Sequence, residues 1–373
     1  MLCPAACSLM IGPGREPSVA RTVRTRVGSK RGSPGLRPRR FAVSRRRESP
    51  PLRRGVSELL DLFGVDSLHP ARLVSERPSY RTTLGAMYSG DSVQLLATMP
   101  PDSVDLVVTS PPYALHFQKE YGNVSKEAYV DWFRPFGKEI LRILKPSGSF
   151  VLNIGGSYNA GYPTRSMYHF HVLLMLCEEL GYHLAQECFW YNPAKLPSPA
   201  EWVNVRRVRI KDSVEYVWWL SKEPMPKADN RKVLAEYSAD MRRLLTKGYR
   251  AKQRPSGHRI TAKFADRGGS IPSNVLEKGN NESNSRYIRL CVEQGLNPHP
   301  ARFPSALPEF FIKFLTDPHD VVLDPFAGSN TTGAVADHLV RRWLAFEIEP
   351  RYVQASRLRF PFLDEESGAR DRR

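Results

Sequence analysis

From about Tyr80 onward, short apolar runs alternate with longer stretches in which apolar positions recur at helical spacing. A parallel sheet wrapped by helices writes that alternation into a chain. The run VDLVVTS, residues 104–110, predicts a buried strand, and SKEAYVDWFRPFGKEILRILKP predicts a helix stopped by Pro146 and Gly148. GSFVLNIGG predicts a second strand, MYHFHVLLMLCEELGY a helix ending near Gly181, and CFWYNP and SVEYVWWLSK two more strands. Further on, LPEFFIKFLTDPHD predicts a helix and turn, VVLDPFAG a strand, NTTGAVADHLV a helix and RRWLAFEIEP a last strand. The expected fold is α/β, a doubly wound, mostly parallel sheet.

Residues 191–296 break the pattern. PAKLPSPAEW, RPSGHRI, DRGGSIPSN and GNNESNS are dense in Pro, Gly, Ser and Asn, which predicts a loop-rich insertion inside the α/β unit. So long an irregular stretch in a compact domain tends to be functional.

Charge sharpens this picture less than its total suggests. The formal net charge is +17, but residues 1–55 carry +12 of it. That tail is rich in Arg, Ser, Pro and Gly, cannot bury enough apolar surface to offset chain entropy, and is expected to be disordered. A DNA-binding arm, a transit peptide and an upstream over-extension of the start site compete to explain it, and the over-extension is favoured. No apolar run reaches the length of a membrane span, so no membrane partner is expected. The five cysteines, Cys3, Cys7, Cys177, Cys188 and Cys291, contain no CxxC pair, which supports neither a zinc site nor a disulfide framework and suggests a reducing, cytoplasmic setting. The scattered histidines form no metal motif, and no metal is expected.

Three stretches carry candidate chemistry. VVLDPFAGSNTTG runs from a buried strand through Gly328 into a helix starting at Ser329-Asn330-Thr331-Thr332. Gly328 permits close backbone approach, and Asp324 ends the strand as a hydrogen-bond acceptor. It is neither a Walker loop nor a full GxGxxG, and an ordinary turn capped by Ser329 explains it equally well in isolation. About twenty residues on, Glu347 ends the next strand where nucleoside-binding α/β folds place a carboxylate on ribose hydroxyls. Asp91 in MYSGDSVQLL reads first as the cap of a helix starting at Ser92. The third stretch, TSPPY at 109–113, leaves a buried strand through two residues without a free amide. Methyl transfer to an exocyclic amine needs acceptors aimed at the amine hydrogens rather than a strong base. The Ser110 hydroxyl and the Pro111 carbonyl suit that need, and Tyr113 offers a ring for an extruded base. The bland alternative is a strand-ending turn capped by Ser110.

TSPPY followed distally by DPFAGSNTTG resembles the amino-methyltransferases that modify DNA bases, and the Ser-Pro-Pro-Tyr form is similar to the cytosine-N(4) group. Acceptor loop first, insertion next and cofactor loop last is similar to the permuted beta class. KEYGN, NPAKLPSPAEWVN, RPSGH, GGSIPSN, HPARFP and LPEFFI extend the likeness over roughly residues 80–360, toward the PvuII-type members. The resemblance implies S-adenosyl-L-methionine as cofactor, double-stranded DNA as partner, the hexamer CAGCTG as target, functional pairing with a restriction endonuclease, and a monomer associated with the nucleoid. It places Ser110, Pro111, Pro112 and Tyr113 on the catalytic loop. Asp324, Phe326, Gly328 and Ser329 fall on the cofactor loop, Glu347 on the ribose, Asp91 near the adenine amine, and Phe303, Pro304 and Ser305 at the methionine moiety. Ala306 stands where a more polar residue is usual, and Tyr113 where Phe is.

In the insertion, Arg206, Arg207, Arg209 and Lys211 of RRVRIK, with Arg254 and His258 of RPSGHR, are the DNA-binding candidates, as phosphate clamps more readily than as base readers. The implied organisation is a basic extension at 1–55, a linker at 56–79, a catalytic acceptor-loop half at 80–190, a target-recognition insertion at 191–296, a cofactor-binding half at 297–360 and a charged tail at 361–373. Ring-carbon methylation of cytosine is disfavoured, because none of the five cysteines follows a proline. An adenine-N(6) methyltransferase and a catalytically silent DNA-binding relative remain as alternatives.

Overall fold

The computed structural model describes residues 68–114, 124–247, 266–280 and 285–360, all in the unit spanning Arg54–Arg373. The basic extension, most of the linker, the charged tail, Arg254 and His258 lie outside the described residues.

In chain order the main elements begin with β1 (Tyr80–Arg81), β2 (Gly85–Ser89), α1 (Ser92–Thr98), β3 (Val104–Thr109) and α2 (Tyr129–Ile143). There follow β4 (Leu144–Ile154), α3 (Tyr168–Leu174), β5 (His183–Tyr191), β6 (Val214–Ser221), α4 (Ala239–Lys247), β7 (Val275–Glu277) and α5 (Arg286–Glu293). The chain continues with α6 (Ala306–Leu315), β8 (Val321–Asp324), α7 (Thr331–His338), β9 (Arg342–Glu347) and α8 (Pro350–Ser356). The strands form one sheet in the order β1-β2-β9-β8-β3-β4-β6-β5-β7. From β2 to β4 every pairing is parallel, whereas β6 runs antiparallel to both β4 and β5.

Strand side chains alternate between two faces, and both faces are buried, which is why these strands read as unbroken apolar runs. Val107, Phe150, Leu152, Trp218, Leu323 and Phe346 pack on one face with α1, α2 and α3. Leu106, Val108, Val151, Val217, Trp219, Val322 and Trp343 pack on the other with α6, α7 and α8. In α2, Tyr129, Phe133, Phe136, Ile140 and Ile143 recur at three- and four-residue spacing and are buried, so this helix covers the first face with aromatic surface.

Two expectations change. No turn follows α2 at Pro146 and Gly148: β4 starts directly at Leu144, and the register jumps from Val104↔Leu144 to Leu106↔Ser149. The extra residues form a bulge that accommodates a proline and a glycine at the start of a central strand. Nor is 191–296 one separate insertion, because β6 lies within those bounds and sits between β4 and β5 in the sheet. The irregular segments of that region are attached on both sides of a core strand.

Candidate active site

A cleft of about 730 Å³ opens along the edge where β2, β3, β4, β8 and β9 end. Ligands of open α/β sheets bind at this edge. Antiparallel β6 brings its beginning to the same edge, with Glu215 opposite Trp190 of β5 and Tyr216 opposite Ile154 of β4.

At one end of the cleft lie Ser110, Pro111, Pro112 and Tyr113. The Pro112 carbonyl is engaged, since Tyr129 Oη donates to it at 2.6 Å. Tyr113 is seated on Gly155, where a Cβ would come within 2.4 Å of its ring, so a glycine is required there. Its hydroxyl meets Ser110 Oγ at 3.2 Å, Asn153 Oδ1 at 3.2 Å and Glu215 Oε2 at 2.8 Å. Burial, and then the Glu215 carboxylate, hold the Tyr113 phenol well above its ordinary pKa, so it stays neutral.

The other end is built by the loop after β8. Gly328 has φ +50°, a conformation that suits glycine, and its face is backed by His299, 3.2 Å from where a Cβ would stand. Burial lowers the His299 pKa to about 4, so the ring that backs the loop is uncharged. Gly328 N donates to Glu347 Oε2 at 2.8 Å and Glu349 N to Oε1 at 2.9 Å, which aims the carboxylate at the cleft. Burial raises the Glu347 pKa. Phe326 packs against Phe136 at 4.8 Å and Trp132 at 5.8 Å, giving an apolar wall. Asp91 caps α1 as expected, with Oδ1 accepting from Val93 N and Gln94 N at 2.9 and 3.0 Å, and it also lines the cleft.

Several assigned residues do something else. Asp324 is outside the cleft wall and buried; its carboxylate accepts from Thr109 Oγ1 and Thr332 Oγ1, each at 2.6 Å, and from Phe326 N at 3.1 Å. It ties the acceptor strand to the cofactor loop instead of meeting a ligand, and burial pushes its pKa up to about 6. Asn330, not Ser329, caps α7, accepting from Gly333 N at 3.0 Å. Ser329 lines the cleft but takes bonds from Arg359 through both its carbonyl and its hydroxyl. Pro304 and Ser305 fall outside the wall, which is formed instead by His299, Pro300, Ala301, Arg302 and Phe303. The HPARFP motif was therefore placed correctly, but its contacting residues lie a few positions earlier.

The cationic run divides. Arg209 donates to the Pro163 carbonyl, lies over Tyr158 at 4.9 Å and faces Asp212 at 3.4 Å, so it holds the loop together. Lys211 Nζ donates to the Pro193 and Lys195 carbonyls at 3.3 Å. Arg206 pairs with Glu201 at 2.7 Å over Trp202. Arg207 is exposed and makes no hydrogen bond or ion pair with a described residue, leaving it the freest of the four. Asn153, Lys195 and Glu215 also line the cleft. Sequence reading passed over them, although a carboxylate at the start of the apolar strand VEYVWWL was a usable signal. Among the described residues no cluster could hold a metal ion, and no helix is long and apolar enough to cross a membrane.

An acceptor loop and a glycine-turn loop facing each other across one cleft, on a doubly wound sheet, define a methyltransferase of the type that uses S-adenosyl-L-methionine, and the DNA methylase family model (N6_N4_Mtase) matches residues 104–358. The chain belongs to that family. It is 52% identical over 289 residues to the type II methyltransferase M.PvuII of Proteus hauseri, spanning 76% of this chain and 86% of that one. M.ScaI of Streptomyces caespitosus is 29% identical over 286 residues, 74% of this chain and 81% of that one. Among solved structures, the cytosine-N4-specific PvuII DNA methyltransferase superposes with a TM-score of 0.64 at 47% identity, covering 77% of this chain and 90% of that chain.

Proposed function

We propose that the protein methylates the exocyclic N4 amine of a cytosine in a short duplex DNA target, CAGCTG, with S-adenosyl-L-methionine as donor, and protects host DNA from a cognate restriction endonuclease. The observation that carries this reading is that Ser110 and Pro111 line the same cleft as Gly328 and Glu347. When bound, S-adenosyl-L-methionine supplies an electrophilic methyl group. Glu347 is the acceptor for its ribose, the Gly328 backbone admits it closely, and Asp91, Phe303, Phe326 and Ser329 complete the wall around it. The residues present suit such a group, because an apolar aromatic wall faces a carboxylate already fixed by two amides.

At the acceptor end, the Ser110 hydroxyl and the Pro111 carbonyl receive the amine hydrogens, which relieves the positive charge that develops on nitrogen. Tyr113 supports the extruded base. Identity to M.PvuII supports the cytosine amine and the hexamer, and it supports a monomer working on duplex DNA in the cytoplasm, at the nucleoid. Arg207 and the lysine and arginine side chains around it would contact phosphate.

Methyl-labelled S-adenosyl-L-methionine and DNA containing CAGCTG test the reading. N4-methylcytosine within that hexamer is expected. N6-methyladenine would assign the adenine reaction instead, and DNA binding without label would leave a silent relative.

A further inference from the structure

Three polar side chains in the cleft, Lys195, Glu215 and Tyr113, form a chain that ends on Ser110. Lys195 Nζ donates to Glu215 Oε1 at 3.0 Å, and Tyr113 Oη lies 2.8 Å from Glu215 Oε2 and 3.2 Å from Ser110 Oγ. Lys195 and Glu215 have side chains only 30% and 19% exposed. The phenol has one proton, and an ionised acceptor at the shorter distance takes it in preference to the Asn153 amide oxygen at 3.2 Å. Asn153 is itself fixed, since its Nδ2 donates to the Tyr216 carbonyl at 3.1 Å. With its proton on Glu215, the Tyr113 oxygen is left as an acceptor, and the neighbouring group able to donate to it is the Ser110 hydroxyl.

We propose that Glu215 is a positioning residue for methyl transfer, which acts through Tyr113 to turn the Ser110 hydroxyl proton away from the substrate amine. A serine hydroxyl free to rotate can present either its proton or its lone pairs to an incoming amine. Held by Tyr113, it presents lone pairs. Lys195 keeps Glu215 ionised and in place, so the orientation is set before the base arrives. Preorganised dipoles of this kind act on the transition state without reorganisation during the reaction. The inference rests on the proposed amine methylation and adds to it a residue that touches neither base nor cofactor.

The test starts with wild-type protein, methyl-labelled S-adenosyl-L-methionine and unmodified genomic DNA. Absence of incorporation would end the amine-methylation reading itself. With a duplex carrying the site that wild type modifies, single-turnover rates are then compared for Glu215→Gln, Tyr113→Phe and the double variant, with cofactor and DNA affinities measured alongside. Each single change is expected to slow the chemical step by at least about tenfold, the effect of losing one hydrogen bond to a charged group. Affinities should change less than twofold. In the Tyr113→Phe background, Glu215→Gln should have almost no further effect, because its path to Ser110 is already cut. Independent, multiplying effects of the two changes would overturn the proposal. If Glu215→Gln does not fold, Tyr113→Phe decides alone, and a wild-type single-turnover rate in that variant overturns the proposal too.

Discussion

The hydroxyl of Thr109 donates to Asp324 Oδ1 at 2.6 Å, joining the residue before the acceptor loop to the strand end before the cofactor loop. Two motifs more than two hundred residues apart are thereby held in one register. Thr332 Oγ1, on the other carboxylate oxygen at 2.6 Å, adds the first turn of α7 to the same knot.

The knot has a pH signature. Burial raises the Asp324 pKa from 3.8 to about 6, so the folded protein retains a proton that the unfolded chain releases. Stability from this group is full below about pH 4 and is lost as pH rises through about 6, a difference of roughly 3 kcal/mol at neutrality. Asp324→Asn should therefore compare more favourably with wild type at pH 7.5 than at pH 4. Thermal melts of both proteins across that range check this, and parallel Tm profiles would contradict it.

Ser110→Ala removes an acceptor aimed at the amine. The single-turnover rate should fall on the order of a hundredfold, as for loss of one preorganised transition-state contact, with little change in DNA affinity. Rapid-quench methylation against gel-shift affinity separates the two.

Glu347→Gln leaves only one oxygen to accept the two amides of Gly328 and Glu349 and removes the charge facing the cleft. Affinity for S-adenosyl-L-methionine, read by calorimetry, should weaken by about tenfold or more. An unaltered dissociation constant would remove Glu347 from the cofactor site.

Gly155→Ala puts a methyl group 2.4 Å from the Tyr113 ring. The ring must move, so methyl transfer should fall sharply while cofactor binding, which uses the far end of the cleft, is retained. Equal loss of both functions would point to a wider collapse.

Arg207→Ala and Arg209→Ala should differ in kind. The first should weaken DNA binding and reduce its salt dependence by about one phosphate contact. The second removes the guanidinium that holds Pro163, Tyr158 and Asp212 together, so it should lower Tm instead.

Much of this was legible in the chain. Strands buried on both faces announce themselves as apolar runs, and β3, β4, β6, β8 and β9 all stand where such runs predicted. Asp91 capping α1 follows from side-chain chemistry within three residues. Local signals misled where a distant partner decided the outcome. Pro146 and Gly148 read as a helix stop because the bulge that absorbs them is defined by β3. Asp324 read as a ligand acceptor because Thr109 and Thr332 are invisible as partners until the sheet forms. Glu215 and Lys195 went unnoticed for the same reason: their convergence on Tyr113 depends on the reversed direction of one strand.

That reversal has a mechanical consequence. The segment from Asn192 to Glu215 leaves β5 at the rim of the cleft and enters β6 at the same rim, so its two ends, Asn192 with Lys195 and Glu215, both face the acceptor site. Its middle carries Arg206 and Arg207 outward. A force on the outward part is thus delivered to Glu215 through a short, doubly anchored span, and readiness of the acceptor hydroxyl becomes sensitive to what the rim is holding.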